Sequence, residues 1–267
     1  MPFPYKTVLV TGATSGIGWA MTERLINAGI FVIAVGRQKD RLDELVAKYG
    51  SEKVTGEILN ISDLGALDDW SKKITTNYPK LDCIFLNAGF QHTVDFTNPS
   101  SIVLHTVDSE VTTNYLSVIH MITHFLPHLI SRNPEPAGII LVSSGLSVVP
   151  MPQVANYCAT KAAVHSLSWT LRAQLGGPQK QEKKTDHIRV VEILPPAVKT
   201  ELHTRQGRQQ MGLDLDDYVN ETWGQLTADE DVIECFPRIS HEQGLGKIEG
   251  GKKKMFEERL KVYQNMK

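Results

Sequence analysis

The sequence predicts an α/β protein with one parallel sheet covered by helices on both faces, and three observations carry that expectation. Short apolar, β-branched runs recur at residues 7–10, 31–35, 53–59, 81–86, 138–142 and 188–194. Uninterrupted runs of this length suit strands buried on both faces. Longer segments with apolar residues at helical spacing stand between them, and alternating strands and helices build parallel sheets. The runs also end in small or polar residues, among them Gly36-Arg37, Asn87-Ala88-Gly89 and Ser143-Ser144. In an open α/β sheet, ligands bind beyond those carboxyl ends.

The first strand, 7–10, runs directly into Thr11-Gly12-Ala13-Thr14-Ser15-Gly16-Ile17-Gly18. A helical pattern follows through Met21, Leu25 and Ile26 to Ala28, with Gly29 as a C-terminal cap. Strand, glycine-rich turn and helix N-terminus stand in the order that pyrophosphate binding requires, because glycines admit close backbone approach and the helix end offers free N–H groups. The bland alternative is a tight turn and nothing more. The second strand, 31–35, ends at Gly36-Arg37, where a dinucleotide fold holds the adenosine ribose. A carboxylate there selects NAD(H), whereas an arginine suits a 2'-phosphate, so NADP(H) is preferred over NAD(H). The alternative is that Arg37 merely opens the helix predicted over 41–49.

Residues 53–59 read as a third strand, closed by the polar turn Asn60-Ile61-Ser62-Asp63, in which Ser62 or Asp63 caps a helix over 64–77. That helix turns Leu67, Trp70 and Ile74 inward. A fourth strand, 81–86, ends in Asn87-Ala88-Gly89. A long core helix over 111–129 carries Asn114 near its start, and a buried amide needs partners. The fifth strand, 138–142, ends in Ser143-Ser144-Gly145. The next helix runs to about 175, where Gly176-Gly177-Pro178 ends it, and bears Tyr157 and Lys161. At that spacing both side chains leave one helix face about a turn apart. Residues 179–187, with Lys180, Lys183 and Lys184, read as a solvated surface insertion. Strand 188–194 is followed by Pro195-Pro196-Ala197-Val198-Lys199-Thr200. Beyond 226 the pattern predicts a helix over 229–236, a flexible loop over 244–251 and a charged terminal helix over 252–266, with no evident seventh strand.

Composition excludes several classes. The 267 residues are 41% hydrophobic and 22% charged, as in soluble globular proteins. A formal net charge of -2 supplies no general attraction to nucleic acid or anionic membrane, and neither partner is expected. Cys83, Cys158 and Cys235 are odd in number and lack metal-ligand spacing, which fits a reducing, cytoplasmic setting without a metal. The first strand begins too early for a signal peptide to precede it, and no apolar run approaches a membrane span.

Thr11 to Gly18, Asn87-Ala88-Gly89, Asn114, Ser144, Tyr157-x-x-x-Lys161 and the turn from Pro195 to Thr200 together resemble the short-chain dehydrogenase/reductase family, over about residues 5–200. Val35-Gly36-Arg37 and Val198-Lys199-Thr200 are most similar to its DltE-type oxidoreductases. The resemblance implies a single Rossmann-type domain over 1–267, doubly wound, with six or seven strands in the order 3-2-1-4-5-6 with or without 7. It further implies a substrate lid over 200–226, a variable extension over 227–267, and a homodimer or homotetramer.

The activity implied is hydride transfer between NADP(H) and the carbonyl or secondary alcohol of a small organic molecule. In that reading Tyr157 is the acid or base. Its reference pKa of about 10 requires a neighbouring cation to lower it, a role for Lys161, which in the family also bonds the nicotinamide ribose. Ser144, thirteen residues before Tyr157, donates to the developing oxyanion, with Ser143 as its rival. Asn114 holds a water that links Lys161 to solvent. Besides Tyr157 and Lys161, the cofactor contacts implied are Gly12, Ser15, Gly16, Ile17 and Gly18 in the first turn. Arg37, Asn60, Asn87, Ala88, Gly89 and Thr200 complete them. Asn60 stands where the family more often has Asp, and Pro196 replaces the usual Gly after Pro195. Substrate is expected to meet Leu146, Val148, Met151, Pro152, Gln91, His92 and the stretch 199–223, whose His203 reads as a solvent-exposed lid residue. Two other readings remain: a cofactor-binding regulatory or interaction protein without turnover, and an epimerase or dehydratase on the same scaffold.

Overall fold

The computed structural model describes residues 3–176, 184–204, 206–207, 209–228, 232–242 and 244–265, with the side chains of 203, 241 and 263–265 outside that set. Seven parallel strands form one sheet in the order β3-β2-β1-β4-β5-β6-β7. They are β1 (Thr7–Thr11), β2 (Phe31–Gly36), β3 (Val54–Ile58), β4 (Cys83–Leu86), β5 (Ala137–Val142), β6 (Ile188–Ile193) and β7 (Glu234–Cys235). Parallel neighbours need crossovers, and helices supply them: α1 (Gly16–Asn27), α2 (Lys39–Tyr49), α3 (Leu67–Asn77), α4 (Leu104–Val111), α5 (Ser117–Ser131) and α6 (Ala155–Gly176). Four more follow β6: α7 (Glu201–Thr204), α8 (Leu215–Leu226), α9 (Arg238–Glu242) and α10 (Leu245–Asn265).

The side-chain alternation of each strand divides the core into two layers. Val8 and Val10 of β1 pack with Met21, Leu25, Leu42 and Tyr218, beneath α1, α2 and α8. Leu9, between them in sequence, faces Trp70, Ile74, Met121, Phe125 and Leu171, beneath α3, α5 and α6. Every residue of β1, β4 and β5 is buried, as the uninterrupted apolar runs require. Register aligns the strand ends: Val10 pairs with Ala34 and with Phe85, Phe85 with Ile140, and Val142 with Ile193. Gly12, Arg37, Asn87, Ser144 and Pro195 therefore emerge along one edge.

Three expectations change. The segment 229–236 is not a helix: Glu234 and Cys235 form the seventh strand against Glu192 and Ile193, while 229–231 lie outside the described residues. A two-residue strand is too short for its period to show in a sequence. The segment 244–251 is not a loop, because α10 begins at Leu245. Gly250 and Gly251 signal a break, yet a Cβ at either would meet nothing within 4 Å; they lie on the outer face and lower only helix propensity. The helix predicted over 111–129 begins earlier, as α4, and reaches α5 through one π-helical turn, Thr112–Leu116. Of the predicted insertion 179–187, residues 179–183 lie outside the described residues. Among the described residues, no helix is long and apolar enough to cross a membrane.

Candidate active site

At the carboxyl edge the turn after β1 is packed against the turn after β4. Gly12 adopts a φ of 70°, and a Cβ there would stand 2.9 Å from Ala88 Cα. A Cβ on Gly18 would stand 2.2 Å from the Gly12 oxygen. No other residue type fits either place without moving backbone. Thr11 Oγ1 accepts the main-chain N–H groups of Asn87 and Ala88, each at 3.1 Å, and Asn87 Nδ2 donates back to Thr11 O at 3.1 Å. The two turns form a rigid floor from which α1 starts.

A cavity of about 620 Å³ lies over this floor. Gly12, Ser15, Gly16, Ile17 and Gly18 line one end of it, and Arg37 and Asn60 stand at its side. Asn87, Ala88 and Gly89 lead to Ser144, Tyr157, Lys161 and Thr200. The glycine cradle at the N-terminus of α1 fits the pyrophosphate of a dinucleotide, because close backbone and the N–H groups of a helix N-terminus meet there. The exposed Arg37, at the end of β2, fits a ribose phosphate. Among the described residues no cluster of His, Cys, Asp or Glu is arranged to hold a metal ion.

Tyr157 and Lys161 occupy the first turns of α6 and are 8% and 4% exposed. Lys161 Nζ donates to Val142 O at 2.8 Å, which ties α6 to the end of β5 and leaves two ammonium protons for the cavity. Burial pulls the Lys161 pKa down to about 8, opposed by the Glu110 and Glu192 carboxylates. Burial pushes the Tyr157 phenol well above its usual range, and the opposing effect comes from a hydrogen bond with the Ser144 side chain. Burial here outweighs the depression expected from Lys161. The Lys161 nitrogen lies 5.7 Å from the centre of the Tyr157 ring and donates to the Val142 carbonyl.

The two serines after β5 are distinguished by their partners. Ser144 Oγ accepts the Leu146 N–H at 3.1 Å, so its own proton is available to the cavity and to Tyr157. Ser143 donates instead to the buried carboxylate of Glu192. Asn114 lies in the π-helical turn and is absent from the cavity wall. Its Oδ1 accepts the Phe90 N–H at 3.0 Å, and its Nδ2 donates to Phe90 O at 2.9 Å and Thr160 Oγ1 at 3.1 Å. The amide thus fastens the loop after β4 to α6. A Cβ on Gly89 would lie 3.1 Å from Asn114 Oδ1 and 3.3 Å from Lys161 Nζ, so both side chains pack against that glycine.

Leu146, Met151, Pro152 and Gln91 line the cavity as expected, with Thr200, Glu201, Leu202 and Met211 from the stretch 199–223. Val148 and His92 do not; His92 lines a separate recess of about 100 Å³. The side chain of His203 lies outside the described residues. Two contributors escape sequence reasoning. Leu245, from α10, lines the cavity and packs beside Gly145. Glu110 is fully buried, accepts Asn156 Nδ2 at 2.6 Å and the His92 N–H at 3.2 Å, and so braces the residue before Tyr157. Burial pushes its carboxyl pKa up. A glutamate four residues before Asn114 is the one available signal, and it looks like an ordinary helix surface residue.

A doubly wound sheet with a dinucleotide cradle and a Ser-Tyr-Lys cluster along one edge defines a dehydrogenase/reductase. A family model described as short chain dehydrogenase matches residues 6–211. The uncharacterized oxidoreductase DltE of Bacillus subtilis is 35% identical over 226 residues, covering 82% of this chain and 83% of the relative. The NADP-dependent 3-hydroxy acid dehydrogenase YdfG of Shigella flexneri is 30% identical over 191 residues, 72% of each chain. A short-chain dehydrogenase from Sphingobium yanoikuyae, solved in complex with NADPH, superposes with a TM-score of 0.78 at 23% identity, over 94% of this chain and 95% of that one. This chain belongs to the short-chain dehydrogenase/reductase family.

Proposed function

We propose that this protein is an NADP(H)-dependent oxidoreductase acting on the carbonyl or secondary alcohol of a small organic molecule. One observation carries the reading: Ser144, Tyr157 and Lys161 line the same cavity as the glycine cradle and Arg37. Gly12 to Gly18 would hold the pyrophosphate, Arg37 the 2'-phosphate, Asn60 the adenine side, and Asn87 to Gly89 with Thr200 the nicotinamide half. NADPH bound there supplies a hydride to a carbonyl carbon.

The protein's own groups manage the oxygen. Burial keeps the Tyr157 phenol protonated, which suits it to give its proton to a carbonyl oxygen as charge develops there. The Ser144 hydroxyl, already oriented by the Leu146 N–H, donates a hydrogen bond to the same oxygen. Lys161, held on Val142 O with its nitrogen 5.7 Å from the centre of the Tyr157 ring, adds positive charge to the cavity as the phenol proton leaves. Asn114 and Glu110 brace this group from behind. Leu146, Met151, Leu202 and Met211 make the substrate end mainly apolar, and 200–226 provides part of its cover.

The names of two similar proteins support the NADP(H) preference, YdfG as NADP-dependent and the Sphingobium yanoikuyae structure as an NADPH complex. The test is to mix the purified protein with NADPH or NADH and a panel of ketones and alcohols while following nicotinamide absorbance. Turnover favouring the phosphorylated cofactor is expected. Tight NADPH binding with no turnover across the panel would favour a non-catalytic role.

A further inference from the structure

Behind the catalytic edge lies a buried chain of charges that the hydride site does not use. Glu192, on β6, is 0% exposed. Its carboxylate accepts the hydroxyls of Ser143 and Ser168, and His165 Nδ1 lies 2.9 Å from its Oε1. The other ring nitrogen, His165 Nε2, lies 2.9 Å from Glu249 Oε2 on α10. A neutral imidazole has one N–H and can donate to only one of these carboxylates, whereas an imidazolium donates to both. Lys252 donates to the second Glu249 oxygen at 2.6 Å and is the half-exposed end of the chain. Lys252 Nζ also lies 3.3 Å from His165 Nε2; with the imidazole protonated, the two carboxylates face one imidazolium and one ammonium.

This chain joins the catalytic helix to a helix with few apolar anchors. Ile248, Met255 and Val262 of α10 are exposed, while Glu249 is 3% exposed, directly over His165. Trp169 closes the contact, with its ring 5.2 Å from that of His165 and 5.5 Å from that of Phe256. One turn before Glu249 stands Leu245, whose Cδ1 lies 3.4 Å from where a Cβ on Gly145 would be, next to Ser144. Of α10, Leu245 alone among the described residues lines the cavity.

We propose that His165 and Glu249 are positioning residues that clasp α10 to the catalytic helix and thereby set Leu245 as the wall that limits the apolar group the cavity accepts. The limit on substrate rests on the oxidoreductase reading above; the clasp does not. Besides Glu192, Glu249 and Lys252, the charged groups around His165 are Lys161, one turn earlier on α6, and Arg172, which acts on Glu192 from the same helix. Burial lowers the His165 pKa, but the hydrogen bonds to Glu192 and Glu249 outweigh it and raise it to about 9 from 6.5. A raised pKa means that the stabilisation the charged imidazole gives the clasp is fully present below about 6.5 and is lost as pH rises through about 9.

Hydrogen exchange of the full chain tests the clasp. In Glu249→Gln, amides of 245–256 should exchange at least ~10-fold faster than in the wild type at neutral pH, while those of β1, β4 and β5 keep their protection. After correction for intrinsic exchange, wild-type α10 should lose protection above about pH 9, and the variant should show no such step. Wild-type protection retained in the variant, or a wild-type α10 indifferent to pH, overturns the proposal; the second result needs no variant to fold. The wall is read with NADPH and straight-chain methyl ketones of increasing length. Leu245→Ala and Glu249→Gln should both shift kcat/KM toward longer ketones, mainly through KM, and an unchanged length preference contradicts the role of Leu245. A wild type that reduces no ketone refutes the oxidoreductase reading, while the exchange result still decides the clasp.

Discussion

Ser143 and Ser144 are adjacent at the end of β5, yet one hydroxyl serves the core and the other the cavity. Ser143 donates to buried Glu192, and Ser144 accepts the Leu146 N–H at 3.1 Å and meets the Tyr157 phenol. Their alanine variants should therefore fail differently. Ser144→Ala loses an oxyanion donor and should cost ~10²- to 10³-fold in kcat/KM with little change in melting temperature. Ser143→Ala removes a donor from a buried carboxylate and should cost ~1–3 kcal/mol of stability with a smaller kinetic effect. Paired kinetics and thermal melts check this, and the reverse pattern would exchange the two roles.

Burial of Lys161 makes the stability of the fold depend on pH. Its pKa falls from 10.5 to about 8 in the folded chain, so the folded state resists the charged form. Burying that charge costs stability below pH 8, by on the order of 3 kcal/mol for a shift of this size. The cost is relieved as pH rises from about 8 to 10.5. Relative to Lys161→Met, the wild type should therefore gain stability over that interval, measured by urea unfolding of both proteins at a series of pH values. A gap that stays constant would show that the ammonium is not desolvated as the Val142 contact suggests.

The sheet was legible because its strands carry their own signal. Runs such as Ile139-Ile140-Leu141 are apolar on both faces, and the glycine-rich turn after β1 sits where such a strand meets a helix. Six strands and the edge that gathers Gly12, Arg37, Asn87 and Ser144 follow from that, while the strand order came from the family resemblance. What escaped depends on contacts distant in sequence. The seventh strand is two residues long and exists by pairing with β6. The start of α10 is hidden by Gly250 and Gly251, and its anchor is a charge contact with His165 that leaves no period to read. Glu110 and Glu192 are carboxylates in the core, where a sequence gives every reason to place them outside. For the serines, spacing favours Ser144, and hydrogen-bond partners supply the physical distinction.

Arg37 is exposed at the end of β2 and lines the cavity beside Asn60. If its guanidinium meets a 2'-phosphate, Arg37→Ala removes charge-assisted hydrogen bonds of about 1.5–3 kcal/mol, or roughly 10- to 150-fold in NADPH affinity. Affinity for NADH should change by less than ~3-fold. Titrations of nucleotide fluorescence with both cofactors decide, and equal losses for the two would remove Arg37 from the selection of cofactor.

In the proposed reaction the buried phenol of Tyr157 exchanges a proton with the substrate oxygen in the cavity that would hold the cofactor. Tyr157→Phe keeps the ring and its packing while deleting that proton, so the decisive measurement is ketone reduction and NADPH affinity in this one variant. In this variant kcat should fall by ~10²- to 10⁴-fold, while the NADPH dissociation constant stays within about threefold of the wild type, because the cradle from Gly12 to Gly18 and Arg37 is untouched. A Tyr157→Phe protein that reduces ketones at close to the wild-type rate would contradict this proton exchange.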